Sequence, residues 1–154
     1  MANARELIRM SDKEIAAFLD GPHKLQLASI NPDGTPHLVT MYYAMFDGRI
    51  GFWTYRRSQK ARNLERDARV TCLVETGEGY DQLRGVQVRG RVDRIDEPGA
   101  VLDVGTAVYG RYMPGMAALA PYLEQQALKR AAFFVTPERI ASWDHRKLAT
   151  VAAG

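Results

Sequence analysis

The spacing of apolar residues changes period along the chain. Ile15, Phe18 and Leu19 fall on one face of a helix behind Ser11-Asp12-Lys13-Glu14, a capping-box pattern, and Gly21-Pro22 ends that helix near Asp20. The period then drops to two. Lys24 to Ile30 alternates with Leu25 and Leu27 on one face, Asn31-Pro32-Asp33-Gly34 is a turn, and Thr35 to Phe46 reads as a second strand. Asp47-Gly48 joins it to a third strand over Ile50 to Tyr55. Arg69 to Glu75 and Gly85 to Ile95 read as the fourth and fifth, with Val86, Val88 and Val92 facing away from Gln87, Arg89 and Arg91. Glu97-Pro98 opens helical territory over Ala100 to Arg111 and Ala117 to Arg130, interrupted by Met113-Pro114-Gly115. Ala132 to Val135 and Ile140 to Trp143 then close the sheet as a sixth strand.

Short strands joined mainly by tight turns, with helices after the third and fifth, predict a mainly β (α+β) fold: a six-stranded antiparallel barrel with peripheral helices. Val39 to Phe46 is apolar or aromatic at nearly every position, so both faces of that strand need cover. A second copy of the chain would supply it, which predicts a homodimer.

The 154 residues suit one domain, 1–154, with its core at about 11–145. A charged fraction of 25% and a hydrophobic fraction of 46% are those of a soluble globular protein, and no stretch is apolar enough to span a bilayer. Met1 to Arg9 lacks a secretory apolar core and Cys72 is the sole cysteine, so a cytoplasmic location without an intrachain disulfide is expected. The net charge of +3 comes without a basic tail or run of the kind that marks a nucleic-acid arm, so no nucleic-acid partner is expected, and an anionic small molecule explains the charge equally well. His23, His37 and His145 share no ligand spacing, so no metal is expected, and Cys72 in its apolar strand reads as an inert buried thiol.

Phe52 to Asp67 carries the chemistry. A strand ending Phe52-Trp53-Thr54-Tyr55 breaks into a helix capped by Ser58, and Arg56, Arg57 and Lys60 crowd its first turn. Unpaired amides at a helix start attract phosphate or carboxylate, and three cations reinforce the attraction. The same pattern also suits a capped surface helix with solvated arginines.

The Asp33 to Pro36 hairpin, the Asp47-Gly48 turn, Phe52-Trp53-Thr54, Ser58-x-Lys60, Asn63-Leu64 and Asp67-Ala68-Arg69-Val70 together resemble the flavin-binding split β-barrel superfamily. That superfamily includes pyridoxamine 5'-phosphate oxidase and actinobacterial relatives that use the deazaflavin coenzyme F-420. The resemblance covers about Ser11 to Trp143, with its distinctive motifs between Asp33 and Val70. It implies that Trp53 and Thr54 lie along the cofactor, that Arg57, Ser58 and Lys60 hold its phosphate, and that Val39, Thr40 and Met41 line its ring. It also implies a site shared between two chains, closed by Gln87, Arg89 or Trp143 of the second.

The tail Trp143-Asp144-His145-Arg146-Lys147 offers no clear match to the C-terminal basic residues with which the oxidase grips its substrate, which speaks against pyridoxamine phosphate. Arg56 and Arg57, with Arg62, suit the extra carboxylates of the deazaflavin branch. The expected activity is hydride transfer from reduced coenzyme F-420 to a small conjugated electrophile of quinone, tetrapyrrole or enone type. The alternatives are a flavin mononucleotide (FMN)-dependent reductase or oxidase, and a flavin or haem carrier without turnover. No catalytic side chain is assigned; solvent, Tyr42, Tyr43 and Tyr109 stand equal as proton sources.

Overall fold

The computed structural model describes residues 3–115 and 119–153. After a one-turn helix α1 (Ala4–Leu7), α2 spans Asp12–Asp20. Ser11 caps α2 by accepting the Glu14 N–H at 3.2 Å, and Phe18 and Leu19 are its buried face. Strands β1 (Leu25–Ile30) and β2 (Pro36–Met41) form the first hairpin, closed by Gly34 at φ +85°.

The expected second strand, Thr35 to Phe46, is two strands in the structure. Tyr43 turns fully into the core and donates its hydroxyl to the Leu19 carbonyl at 2.6 Å, which ends the pairing of β2 with β1. The chain then pairs elsewhere as β3 (Ala44–Phe46), antiparallel to β4 (Arg49–Tyr55) across Asp47 at φ +48° and Gly48 at φ +78°. The sheet therefore has seven strands rather than six.

Helix α3 (Gln59–Arg66) leads to β5 (Arg69–Thr76), and β6 (Arg84–Ile95) to α4 (Pro98–Tyr112), which Glu97 caps through the amides of Gly99 and Ala100 at 2.9 and 2.7 Å. Helix α5 covers Ala120–Ala127. The expected start of that helix at Ala117 lies outside the described residues, and its expected end at Arg130 belongs to the next strand, β7 (Arg130–Asp144). Strand β7 is continuous where two pieces were expected. It absorbs Pro137 at an irregularity opposite Arg89 and Gly90, where a β-carbon on Gly90 would stand 2.1 Å from the Thr136 carbonyl oxygen. A short helix α6 (Lys147–Ala152) follows.

The strand order β2-β1-β5-β6-β7-β4-β3 is antiparallel throughout, a curled sheet with the split-barrel topology. Two cores result. The larger fills the barrel with Leu25, Leu27, Tyr43, Phe52, Val74, Val86 and Phe133; the smaller joins Trp53 and Ala132 to Val101, Val104, Val108 and Leu123 of α4 and α5. Strand β4 pairs with β7 only over Arg130 to Phe134, so beyond that point β7 has β6 on one side and no strand on the other among the described residues. No helix among them is long and apolar enough to cross a membrane.

Candidate functional site

The site forms where β4 ends. Thr54 is buried, and its hydroxyl stands 3.3 Å from that of Ser58, which accepts the Ala61 N–H at the same distance as the cap of α3. One hydroxyl thus ties strand to helix and fixes the direction of the helix start. Lys60, the second residue of α3, is half-buried. Loss of hydration, and then the positive charge of Arg130, push its ammonium below the usual lysine range.

Arg130 is the residue at this junction that the sequence did not disclose. It was expected to end a helix; instead it opens β7 directly opposite Tyr55. Its guanidinium stacks 4.6 Å from the Trp53 ring and 4.2 Å from the Tyr55 ring, and one terminal nitrogen donates to Gln126 Oε1 at 3.2 Å. Its Nε is buried without a hydrogen-bond partner. Neither Lys60 nor Arg130 has a carboxylate partner among the described residues. Two neighbouring cations without an anion form a site with the electrostatics to receive one.

Beside Arg130 opens a trough of about 230 Å³, walled by Thr40, Met41, Tyr42, Trp53, Tyr109 and Tyr112. Trp53 meets Tyr109 edge-on with ring centroids 6.2 Å apart, and Tyr42 tilts against Tyr112 at 4.6 Å. Tyr112 donates its hydroxyl to the His23 carbonyl and is thereby fixed. A larger apolar groove of about 590 Å³ lies elsewhere, between α2 and β7, away from these cations.

Of the residues expected to form the site, the structure gathers Thr40, Met41, Trp53, Thr54, Ser58 and Lys60 around this junction. Val39 shares a face of β2 with Met41 and both pack on the barrel core, but of the two only Met41 also borders the trough. Arg56 is taken by Asp96, through an ion pair at 3.3 Å and a bond to its carbonyl at 3.1 Å, whereas Arg57 is exposed. Tyr43 is sealed in the core with its hydroxyl pKa raised by burial, which leaves Tyr42 and Tyr109 as phenols on the trough. Gln87 and Arg89 lie on the outer face of β6, and Trp143 lies across Gly85, where a β-carbon would come within 2.2 Å of the indole. Cys72 is wholly buried, its thiol pushed up to about 12, and no group of three or more His, Cys, Asp or Glu side chains among the described residues could hold a metal.

This topology, with a capped helix springing from a barrel strand beside an aromatic trough, is that of the split-barrel flavin-binding proteins. Residues 11–144 match the pyridoxamine 5'-phosphate oxidase family, and the chain belongs to it. It is 27% identical over 166 residues to a pyridoxine/pyridoxamine 5'-phosphate oxidase of Rubrobacter xylanophilus, covering 93% of this chain and 75% of the relative. Among solved structures it is 43% identical to a conserved hypothetical protein of Mycobacterium tuberculosis, with a TM-score of 0.87 over 97% of this chain and 92% of the other. An F-420 reductase shares the fold at 22% identity, with a TM-score of 0.58 over 80% of this chain and 93% of that one.

Proposed function

We propose that this protein is an oxidoreductase that binds reduced coenzyme F-420 and delivers hydride to a small conjugated electrophile. The observation that supports the reading is the junction of Thr54, Ser58 and Lys60 at the start of α3, joined to an aromatic trough through Arg130, whose charge acts on Lys60 and which lines that trough. The Nε of Arg130 and the ammonium of Lys60, neither with a partner among the described residues, fit a ligand that brings negative charge. Its kinship with a family of oxidases and the fold it shares with a reductase point the same way.

Ser58, Lys60 and the first amides of α3 would hold the phosphate, and Arg57 is placed to meet charge beyond it. Thr40, Met41, Trp53 and Thr54 would lie along the ring. When bound, the coenzyme supplies the hydride. The chain contributes position and dryness: Trp53, Tyr109 and Tyr112 exclude water from the trough, and Tyr42 or Tyr109 stands on it as a proton source.

The reading includes a homodimer. Leu38 is 66% exposed and Tyr42 48%, on the strand edge beside the trough, and a second copy would cover them while burying well over ~1,200 Å² in total. Size-exclusion chromatography with light scattering should give a dimer at micromolar concentration; a monomer would remove the shared site.

The cofactor is tested by titrating purified apoprotein with coenzyme F-420 and with FMN, followed by turnover of the reduced form against quinones and enones. Tighter F-420 binding with turnover is expected. Tight FMN binding in a yellow purified protein, or equal affinities, would transfer the assignment to FMN, and binding without turnover would make the protein a carrier.

A further inference from the structure

Among the described residues, Arg130 is the only charged one lining a trough otherwise built of aromatic rings, Met41, Met113, Val108 and Thr40. Its guanidinium carbon lies 4.6 Å from the Trp53 ring and 4.2 Å from the Tyr55 ring, so two aromatic side chains hold it in place, and its N–H donors are at its edge. Of those donors one reaches Gln126, and the Nε is buried with no acceptor. A guanidinium held against two aromatic rings at the wall of a trough can meet, through its N–H edge, the two oxygens of a carboxylate or the anionic edge of a conjugated ring. Lys60 cannot relieve it, being itself a cation without a carboxylate partner among the described residues.

The walls define the rest of the ligand. Trp53, Tyr109, Tyr112 and Met41 offer flat or polarisable apolar surface, and a volume of about 230 Å³ admits one small ring system. We propose that the trough is a binding site for a planar aromatic group carrying an anionic oxygen, with Arg130 as its counter-ion and specificity-determining residue. This deepens the oxidoreductase reading and rests on it for biological meaning. Two sources share this chemistry: the electron acceptor, or an anionic edge of the coenzyme's own ring.

The test titrates apoprotein calorimetrically with 2-naphthoate and with 2-naphthamide, which share shape and differ in charge. Naphthoate should bind at least ~tenfold more tightly, as expected for a charge-assisted bond to a guanidinium. Arg130→Gln should bring the two affinities within about twofold of each other, chiefly by loss of naphthoate. Arg130→Lys should retain part of the preference, because it keeps the charge and loses the fork. Equal binding of the two probes to the native protein, or a preference untouched in folded Arg130→Gln, overturns the proposal. The native comparison decides it even if the variants do not fold.

A second arm repeats the naphthoate titration with coenzyme F-420 present. Competition identifies the coenzyme ring as the natural anion; unchanged or improved binding identifies the acceptor. The first arm contains no coenzyme, so failure of F-420 to bind would sink the proposed cofactor and leave the Arg130 result standing.

Discussion

Gly105 of α4 lies against the face of Trp53: a β-carbon at that position would come within 2.4 Å of indole Cη2 and Cζ3. The indole is 5% exposed, carries the Arg130 guanidinium over its ring and borders the trough, so the trough is the direction in which it can yield. Gly105→Ala gains about 1 kcal/mol of helix propensity. Overpacking should outweigh that gain, at about 1–3 kcal/mol. Urea unfolding should show a net loss of stability, and ring ligands should bind more weakly because Trp53 is displaced into the trough. A stabilised variant with unchanged binding would show that the helix simply moves away.

Lys60 should destabilise the empty protein while serving the filled one. Its pKa in the fold lies below its unfolded value, so the unfolded chain holds more protons between the two, and stability rises with pH across that window. Lys60→Met should therefore raise Tm at neutral pH by about 2 °C or more, with the gap closing as pH climbs toward 10.5. Phosphate-bearing ligands should lose binding together with the charge. Thermal scans at pH 7, 9 and 10.5 check the sign; a Lys60→Met protein less stable at neutral pH would contradict it.

Arg56 and Arg57 are adjacent in sequence and opposite in role. The first is paired with Asp96, the second is exposed beside the helix start. If charge beyond the phosphate distinguishes coenzyme F-420 from FMN, Arg57→Ala should narrow that difference by about 1 kcal/mol. Arg56→Ala should leave it nearly unchanged. Parallel fluorescence titrations measure both, and an effect confined to Arg56 would reverse the assignment.

Tyr43→Phe should lower stability by about 1–2 kcal/mol, since it deletes a buried hydroxyl that donates to the Leu19 carbonyl at 2.6 Å. Turnover per folded molecule should not change, because that hydroxyl does not reach the trough. Loss of turnover at full stability would restore Tyr43 as a proton source.

Local signals carried most of the fold. The capping pattern at Ser11, the Asp47-Gly48 turn and the strict alternation of β6 each specify their element through neighbours only a few residues away, and each stands in the structure as read. The break at Tyr42 and Tyr43 was illegible because its cause is remote: the Leu19 carbonyl lies in another element, and nothing adjacent marks the strand as ending there. The capped junction of Ser58 and Lys60 was legible for the same local reason as the turns. Arg130 was not. Its position depends on β7 pairing with β4 across some 75 residues, and a helical pattern over Ala117 to Arg130 concealed a strand start. Arg56 illustrates the converse, a cation that sequence counts as available and that Asp96 has already taken.

The bare flank of β7 also bears on how copies of this chain meet in crowded solution. Strand edges with open amides and carbonyls recruit further strands and can propagate into fibrils. Here the run that lacks a second neighbour contains Pro137, which has no amide hydrogen to offer, followed by Glu138 and Arg139, whose exposed charges resist stacking in register. Replacing Pro137 and Glu138 with β-branched apolar residues would create an adhesive edge, and turbidity on prolonged warming would report it. The irregularity that interrupts the β6–β7 ladder is thus also a guard against uncontrolled assembly.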